Sequence, residues 1–516
     1  MNDKLKWGAN MALAFAVLAS MTAICWAQGK GGGKKPPKNE DTDPPPAITD
    51  LAVDEVSSHV VLLSWTASRD DTNDPDSGRT SQNDLRYLVD EPITEQNWDT
   101  ATPAPSDPTR GSTPFQPGMT ETFNVTCLEG DTTYYFAIKV SDEAGNESDL
   151  CSVPNECNVA SGTTVSAKWT TEVVVSGGPF YYNVLAFDPA DGGASIAYSS
   201  PGNLNYAHWN GSTWDTEVVD EAGGGGLDFT FDPDGAPTIS YVGSTDQLMF
   251  ARRGGTGWET EVIDSKLFDP LTSLAYDPAG NPSISYTAPV GKGKSKTSEV
   301  RFARWNDLSQ SWDVEAVEIL GIRTRYNSLA YNPAGNPSIA YPDWLDDQLS
   351  GPDTLKLATW NEGTWDIEVV DTGMNYMGIG TALAYAADGN PSIVHRAKIS
   401  PDQDSMRYLH WDGTTWHPVP AEIDEIIDDG AQDFHFSAGT LAFDPSGTPY
   451  VSYVDDLLEV KVAHWDGVQW VIEGVEGCLP GYSSIAFDPA GVPPGVPSIS
   501  YRRNWTSDLE YAQRLP

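Results

Sequence analysis

Three interruptions of a repeated strand pattern place charged and aromatic side chains next to one another. They are the pair His395-Arg396, the segment 342–344 (Pro-Asp-Trp) and the segment 502–505 (Arg-Arg-Asn-Trp). Such groups suit a sugar or an acidic ligand, because aromatic rings stack on apolar faces and guanidinium groups bind carboxylates. Three tyrosines that enter the repeats from the same side extend this set. The candidate ligand-binding residues are Tyr182, Tyr326, Asp343, Trp344, His395, Arg396, Tyr482, Arg502, Arg503 and Trp505.

The elements that carry these residues belong to a motif that occurs seven times. Its clearest copy is SLAYDPAGNPSISY, from Ser273 to Tyr286, and its aspartate or the equivalent residue recurs at intervals of 44 to 58 residues. A period of this length is typical of solenoids and radial arrays. The copies begin at Val184, Asp228, Ser273, Ser328, Ala382, Thr440 and Ser484.

Each interval has room for four short strands. The first strand ends in the turn Asp-Pro-Ala-Gly-Asn, where proline presets the turn and Gly280 can adopt the left-handed conformation. A second strand, Pro282 to Tyr286, is rich in β-branched and aromatic residues. A third strand and a short turn then lead to a fourth strand that begins with tryptophan in six copies. The pattern predicts an all-β fold built from four-stranded antiparallel units.

The last copy ends inside its third strand, at residues 509–515. Its fourth strand lies at the start of the region, where 169–173 (WTTEV) matches 214–218 (WDTEV). A borrowed strand would leave no exposed sheet edge to invite aggregation. This arrangement resembles seven-bladed β-propellers closed by strand exchange. The resemblance implies a propeller over residues 167–516, closed by the N-terminal strand of that region.

Residues 46–163 have a different pattern. Alternating stretches such as Val60 to Trp65 and Tyr134 to Val140 are separated by polar turns, as in a β-sandwich. The segment 128–134 places Tyr134 after a tight turn, as in a tyrosine corner. This region resembles a fibronectin type III domain, which implies spacing or adhesion rather than catalysis.

The N-terminus has the features of a processing signal. Lys4 and Lys6 precede an apolar run from Met11 to Cys25, and a small residue follows at Ala27. These features predict a signal peptide over residues 1–27 and a flexible Gly/Lys/Pro-rich tether over 28–45. An uncleaved membrane anchor is the alternative, because the stretch 8–27 approaches spanning length. We expect a secreted or cell-surface protein that is not inserted in the membrane after cleavage.

The chain is strongly acidic, with 74 acidic against 30 basic residues and a net charge of −44. Such a surface repels nucleic acids and anionic membranes. Solubility outside the cell is one explanation of this charge. Calcium binding is the other, because four carboxylates cluster between Asp70 and Asp76, although the segment lacks the complete spacing of a calcium loop. We expect no other cofactor or metal.

Four cysteines follow the predicted cleavage site, and an exported protein can keep them as disulfides. Cys151 and Cys157 are the expected pair, because the segment between them is typical of a loop. Cys127 and Cys478 belong to different predicted domains. We therefore expect these two cysteines to be buried free thiols.

Enzyme motifs are absent from the sequence: it has no triad motif, no phosphate-binding loop and no paired zinc-ligand spacing. Within each copy the first and third connections are short, whereas the second connections and the links between copies vary in length. Variable loops on a rigid scaffold are where binding sites are usually built. Ligand binding is therefore expected at the end of the strands that carries the long loops. The alternative is that the candidate residues only fill this end of the fold or pair with the acidic surface.

We expect a non-catalytic binding or adhesion protein whose partner is a glycan or a surface protein. A sialidase-like glycoside hydrolase is an alternative, because the variable end offers arginines, tyrosines and carboxylates. However, Asp412-Gly413 lacks the residue that separates aspartate from glycine in sialidase Asp-boxes, so no catalytic residue is assigned. A purely structural extracellular scaffold is the third hypothesis.

Overall fold

The computed structural model describes residues 42–104, 114–153, 156–157, 159–265, 271–290, 298–320, 326–344, 353–373, 379–400, 403–427, 440–455, 459–477, 481–489, 495–503 and 508–515. Across these residues the protein is built from strands, with one short 3₁₀ helix at Trp98–Thr100. The all-β prediction is confirmed. The predicted signal peptide and most of the predicted tether lie outside the described residues. The described part of the chain contains no helix that could span a membrane.

The N-terminal part forms two antiparallel sheets around one core. Its strands are β1 (Ala52–Val56), β2 (Val61–Thr66), β3 (Gln82–Val89), β4 (Thr102–Pro103), β5 (Thr120–Val125), β6 (Thr133–Ser141), β7 (Cys151–Val153), β8 (Glu156–Cys157) and β9 (Val159–Thr163). One sheet has the order β1-β2-β5 and the other β4-β3-β6-β9, while β7 and β8 form a separate two-stranded sheet. Leu63 and Trp65 of the first sheet pack with Phe136 and Ile138 of the second. This alternation buries one face of each sheet, as the sequence predicted for the segment.

Two local features of this part had been predicted from the sequence. The Tyr134 hydroxyl accepts a hydrogen bond from the Glu129 backbone N–H at 2.7 Å, the kind of contact expected of a tyrosine corner. Strands β7 and β8 pair so that Cys151 lies opposite Cys157 in register. A disulfide between these two cysteines remains a prediction.

Residues 169–514 form seven four-stranded antiparallel sheets within the described part of the chain. We number them sheets 1 to 7 in the order of the sequence motif. Their strands are β10 (Trp169–Ser176), β11 (Asn183–Phe187), β12 (Ala194–Ser200), β13 (Asn203–Trp209), β14 (Trp214–Asp220), β15 (Gly223–Phe231), β16 (Pro237–Gly243), β17 (Leu248–Gly254), β18 (Gly257–Asp264), β19 (Ser273–Tyr276), β20 (Pro282–Pro289), β21 (Ser298–Asn306), β22 (Ser311–Leu320), β23 (Ser328–Tyr331), β24 (Pro337–Asp343), β25 (Asp353–Asn361), β26 (Thr364–Gly373), β27 (Ile379–Tyr385), β28 (Pro391–Ser400), β29 (Gln403–Trp411), β30 (Trp416–Ile427), β31 (Thr440–Phe443), β32 (Pro449–Val454), β33 (Val460–Trp465), β34 (Trp470–Glu476), β35 (Gly481–Asp488), β36 (Val496–Arg503) and β37 (Asp508–Arg514).

Sheets 1 to 6 each use four consecutive strands, beginning with β11–β14 and ending with β31–β34, whereas sheet 7 has the order β10-β37-β36-β35. Its outer strand β10 thus comes from the start of the region, and Trp169 lies opposite Arg514. The first strands contact one another in the order β11, β15, β19, β23, β27, β31, β35 and back to β11. The first strand of each sheet is therefore the innermost one. We call the end of the sheets with the first and third connections the turn end, and the opposite end the loop end.

The repeated turn has a clear physical cause. In sheet 3 the Asp277 carboxylate accepts hydrogen bonds from the backbone N–H groups of Ala279 and Asn281, both at 2.9 Å. The Asp277 N–H donates to the Asn281 carbonyl at 3.0 Å, and Gly280 between them has a φ of 89°. Only glycine adopts this conformation without strain. The Asp-Pro-Ala-Gly-Asn sequence therefore encodes this turn.

Several acidic residues join one sheet to the next at the loop end. The second strand of several sheets carries, near its end, a tyrosine whose hydroxyl donates to an acidic residue at or near the end of the fourth strand of the preceding sheet. These pairs are Tyr241 with Asp220 (2.5 Å), Tyr286 with Asp264 (2.8 Å) and Tyr341 with Glu318 (2.7 Å). In two of them a base directly opposite the tyrosine also pairs with the acid: Arg301 with Asp264 (2.6 Å) and Lys356 with Glu318 (2.8 Å). We call this arrangement the acid clasp.

A second acidic residue joins the outer strands nearer the turn end. The tryptophan that begins a fourth strand donates its indole N–H to a glutamate on the fourth strand of the preceding sheet. The pairs are Trp214 with Glu172 (3.2 Å), Trp258 with Glu217 (3.0 Å), Trp312 with Glu261 (3.0 Å) and Trp365 with Glu315 (3.1 Å). The repeated tryptophans and glutamates are therefore linked by these contacts.

The N-terminal sheets dock on sheet 6. The Glu459 carboxylate is fully buried and accepts hydrogen bonds from the Ser57 and Ser58 hydroxyls at 3.0 and 3.3 Å. The Cys127 N–H donates to the Gly477 carbonyl at 3.1 Å.

Cys127 is disulfide-bonded, so the prediction that it is a free thiol is wrong. Sequence distance had placed Cys127 far from the repeats, whereas the fold brings it against the end of sheet 6. Cys478 lies outside the described residues.

Candidate functional site

Three of the predicted site residues occupy one repeat position and come together at the loop end. Tyr182, Tyr326 and Tyr482 each lie two residues before the motif in sheets 1, 4 and 7. The rings of Tyr182 and Tyr482 have their centroids 4.7 Å apart, and their hydroxyls are hydrogen-bonded. Tyr326 lies close enough to Tyr482 to interact with it electrostatically, although it comes from a sheet that is not adjacent. We call these residues the tyrosine cluster.

Tyr482 has an unfavourable backbone conformation. Its φ is 34°, in the left-handed region that bulky residues rarely adopt, and it is bulged out of the pairing between β35 and β36. At the same repeat position sheets 2 and 5 have Gly226 and Gly380, with φ values of 39° and 66°. Glycine is the unstrained residue for this position, so tyrosine is present here at an energetic cost.

Neighbouring groups hold Tyr482 in this conformation. The Asn183 side-chain N–H of sheet 1 donates to the Tyr482 carbonyl at 2.8 Å, and the Asn183 side-chain oxygen accepts from the Ser500 hydroxyl at 2.6 Å. Asn183 is itself buried, so this bridge is shielded from water.

Arg502 lies beneath the cluster. Its side chain is only 2% exposed, its guanidinium carbon is 5.8 Å from the centre of the Tyr482 ring, and Nη1 donates to the Phe180 carbonyl at 2.9 Å. Gly481 lies opposite Arg502 in register, and a Cβ atom at Gly481 would clash with the guanidinium. A side chain at position 481 would therefore displace Arg502.

The cluster combines neutral hydroxyls with a buried positive charge. Burial, followed by the neighbouring Tyr182, raises the pKa of Tyr482 well above its usual value, so its hydroxyl is protonated at neutral pH. Burial lowers the pKa of Arg502 from its usual range. A guanidinium nevertheless stays charged in proteins. The site therefore offers hydroxyl groups and aromatic faces over a cation.

His395 occupies the tyrosine position of the acid clasp in sheet 5. It is fully buried, its Nε2 lies 3.2 Å from Oδ2 of Asp371, and Arg407 reaches the same oxygen at 2.6 Å. Burial would raise the pKa of Asp371, but the interactions of its carboxylate with His395 and Arg407 lower it below its usual value. His395 thus lies against the acidic residue of the preceding sheet, where neighbouring sheets have a tyrosine.

The other predicted residues do not all lie together. Arg396 occupies the same repeat position in sheet 5 as Arg502 in sheet 7 and is half-buried. Arg503 pairs with Glu510 at 3.1 Å, and Asp343 accepts from Lys356 at 2.7 Å. Trp344 directly follows β24 and is half-buried, and Trp505 lies outside the described residues.

One group of side chains has the geometry of a metal site. Asp188, Asp191 and His208 bring three potential ligand atoms within 4.8 Å of one another. However, His208 already binds the Ser195 hydroxyl at 2.9 Å and Asp191 at 3.0 Å. The same repeat position holds Arg252, which pairs with Asp232. We therefore interpret these residues as one of the pairs between a basic side chain and a turn carboxylate, like Arg252 with Asp232, rather than as a metal site.

The acidic segment 70–76 shows one perturbed carboxyl group. Burial, followed by a hydrogen bond to Glu143 and the charges of Glu143, Asp71 and Asp142, raises the pKa of Asp70 to about 7. A bound cation would relieve this repulsion, but so does the proton that Asp70 retains. Calcium binding remains a proposal.

The sequence predicted the cluster but missed what supports it. The sequence analysis did not identify Gly481 and Asn183. Gly481 directly precedes Tyr482, and a glycine beside this repeat position could have indicated close packing there. The glycines at positions 226 and 380 also indicated that this position needs a left-handed residue.

No protein-family model matches the chain, and no curated protein does. Several solved structures are similar to it at low identity. The Aleuria aurantia lectin, a fungal lectin with a six-bladed β-propeller fold, is 13% identical, with 59% of this chain and 98% of the lectin covered and a TM-score of 0.39. AofleA from Arthrobotrys oligospora is 12% identical over 61% of this chain and 92% of its own, with a TM-score of 0.39. A PL25 ulvan lyase, a polysaccharide lyase, is 14% identical over 65% and 94%, with a TM-score of 0.45. Likenesses this low carry no argument about the ligand.

Proposed function

We propose that this chain is an exported carbohydrate-binding protein whose glycan site is the tyrosine cluster over Arg502. The proposed architecture is a fibronectin type III domain followed by a seven-bladed β-propeller that β10 closes. The seven four-stranded sheets, the cyclic contacts of their first strands and the Glu129–Tyr134 hydrogen bond support this architecture.

The strain at Tyr482 is the observation that carries the functional proposal. A left-handed aromatic residue costs on the order of 1–3 kcal/mol, and such outliers concentrate at functional sites. Two other sheets avoid the cost by using glycine at this position. Tyrosine is therefore retained for what its ring and hydroxyl do.

The chemistry of the cluster suits a sugar. The apolar face of a sugar ring stacks on an aromatic ring, while its hydroxyls exchange hydrogen bonds with phenol groups. The buried guanidinium adds attraction for an acidic sugar in a protein whose surface is otherwise strongly negative. With its raised pKa, the Tyr482 hydroxyl is a donor rather than a general base, which favours binding over catalysis.

A glycan array with the purified protein tests the proposal. Wild type should bind a subset of glycans, and Tyr482→Gly should weaken that binding roughly 10-fold or more, as removal of a central aromatic contact does. Tyr482→Phe keeps the ring and separates the contribution of the hydroxyl. Trp344→Ala reports whether the site extends to the loop end of sheet 4.

Two results would overturn the proposal. Binding to no glycan would favour the structural scaffold, and turnover of a fluorogenic sialoside would favour the hydrolase. Equal glycan binding by wild type and Tyr482→Gly would leave a carbohydrate-binding protein but remove the cluster as its site.

A further inference from the structure

A cavity of about 350 Å³ opens at the turn end between sheets 7 and 1, away from the tyrosine cluster. It lies where the borrowed strand β10 and strand β37 face strands β11 to β13. The residues that give it chemical character are Glu172, Phe187, Trp209, Asp488, Tyr511 and Gln513. Among its described lining residues the charged ones are both carboxylates, and none is basic.

The cavity exists because sheet 1 departs from the repeat. In sheets 2 to 6 the first residue of the second strand is a proline, as at Pro237 and Pro282. In sheet 7 the proline is the second residue of that strand. Sheet 1 has Ala194 there. Ala194 pairs with Phe187 just as Pro237 pairs with Phe231, so the backbone register is unchanged. The smaller side chain therefore leaves space beside the aromatic wall.

The next junction shows what such a space accepts. Arg253 of sheet 2 has the repeat position of Trp209, and Glu217 of sheet 1 has that of Glu172. Arg253 Nη1 lies 3.3 Å from Glu217 Oε1, and the same oxygen accepts from the Trp258 indole N–H at 3.0 Å. Between sheets 7 and 1 the indole contact is kept, from Trp214 to Glu172 at 3.2 Å, but the position of Arg253 is occupied by Trp209, as it is by tryptophan in sheets 3 to 6.

Nearby basic side chains are paired elsewhere. Arg514 follows Gln513 on β37 and binds Glu473 through two nitrogens, each at 2.7 Å. His208 precedes Trp209 on β13 and binds Asp191. Since neighbours on a strand point to opposite faces, both cations face away from the wall formed by Trp209 and Gln513.

We propose that this cavity binds a small organic cation. The positive group lies against the Glu172 carboxylate, as the guanidinium of Arg253 lies against Glu217, and its apolar part contacts the rings of Trp209 and Tyr511. Aromatic faces attract cations, and a neighbouring carboxylate adds to this attraction. This inference does not rest on the proposed glycan site.

Choline and its neutral isostere 3,3-dimethylbutan-1-ol form the test, because they differ mainly in charge. Each compound is titrated into the protein, and its binding is monitored by calorimetry or by the NMR signal of the Trp209 indole. Choline should bind roughly 10-fold more tightly than the neutral alcohol. Added salt should weaken the binding of choline.

Two variants locate the binding. Ala194→Pro restores the proline of the repeat and fills the cavity, and Trp209→Arg installs the residue of the next junction beside Glu172. Each variant should abolish choline binding. Two variants are used so that the test still stands if one of them does not fold. Glu217→Gln, at the junction that Arg253 already fills, is the matched control and should bind choline as wild type does.

Three results would contradict the inference. They are equal affinity for choline and the neutral alcohol, undiminished choline binding in folded Ala194→Pro and Trp209→Arg, or the absence of saturable choline binding to wild type.

Discussion

At the scale of single residues, position within the repeat separates scaffold from candidate site. The hydroxyls of Tyr276, Tyr331 and Tyr385 are hydrogen-bonded to the hydroxyls of Thr238, Ser283 and Ser338, and these contacts hold neighbouring sheets together. Tyr482 instead is strained and packs, with its ring tilted by 50°, against the ring of Tyr182 over a buried arginine. Residue type alone does not distinguish these roles, because both groups are tyrosines in repeats.

Gly481→Ala tests the packing beneath the cluster. The new Cβ would clash with the Arg502 guanidinium, so we expect a loss of stability of about 1–3 kcal/mol, as in other overpacked sites. Urea denaturation measures this loss. Gly255→Ala is the control, because a Cβ at that exposed turn meets nothing within 4 Å, and its stability should change by less than about 0.5 kcal/mol. Equal stability of the two variants would contradict the packing described for Arg502.

At the scale of strands and sheets, the acidic residues do more than keep the protein soluble. Asp264 and Glu318 each accept from a tyrosine of the next sheet and pair with a base opposite that tyrosine. Outer strands are sheet edges, and charged side chains along them also oppose edge-to-edge association. The net charge of −44 is therefore partly a consequence of how the sheets are joined.

The clasp of sheet 5 predicts which substitutions His395 tolerates. His395→Tyr restores the residue of the neighbouring sheets and should leave stability within about 1 kcal/mol of wild type, whereas His395→Leu removes the contact to half-buried Asp371 and should cost about 1–3 kcal/mol. Thermal unfolding of the two variants measures this difference. A His395→Leu variant as stable as His395→Tyr would show that the contact is dispensable.

The same clasp predicts a pH dependence. The pKa of Asp371 is lower in the folded protein than its usual value, so the stabilisation is present above the pKa of the unfolded chain, about 4. It is lost as the pH falls through the lower, folded value. Unfolding free energies measured from pH 7 to pH 3 should show wild type losing its advantage over Asp371→Asn as the pH drops below about 4. A constant difference would contradict this role of Asp371.

At the scale of the whole molecule, residues 44–516 form one compact unit rather than two separate domains joined by a linker. The N-terminal sheets contact sheet 6 through buried Glu459, and Gly477 leaves no room for a Cβ beside Val60 and His59. A domain held in this way presents the repeat sheets in a fixed orientation.

The Cys127 disulfide makes the docking testable. We expect Cys478 to be its partner, because Cys478 follows Gly477, whose carbonyl accepts from the Cys127 N–H. Peptide mapping without reduction identifies the partner. Cys127→Ser should lower stability by about 2–5 kcal/mol, the usual effect of removing a native disulfide. Recovery of Cys127 paired with Cys151 or Cys157 would contradict this assignment.

Local sequence patterns predicted the strands, the turns and the tyrosine position, because each depends on residues close together in the chain. The pairing of β10 with β37 was also predictable, because the repeat shows which strand its last copy lacks, but other contacts between distant segments were not. Cys127 was expected to be free since its neighbours at residue 477 come from another part of the sequence. The roles of Gly481 and Asn183 likewise depend on β36 and on sheet 1 packing against sheet 7.

The most direct test of the account compares wild type with Tyr482→Gly in both stability and glycan binding. Glycine relieves the left-handed strain, so the variant should unfold within about 1 kcal/mol of wild type, while its affinity for the best array glycan should fall roughly 10-fold or more. Loss of binding without loss of stability would support a strained tyrosine kept for its ligand. A variant that binds as tightly as wild type would contradict the proposed site.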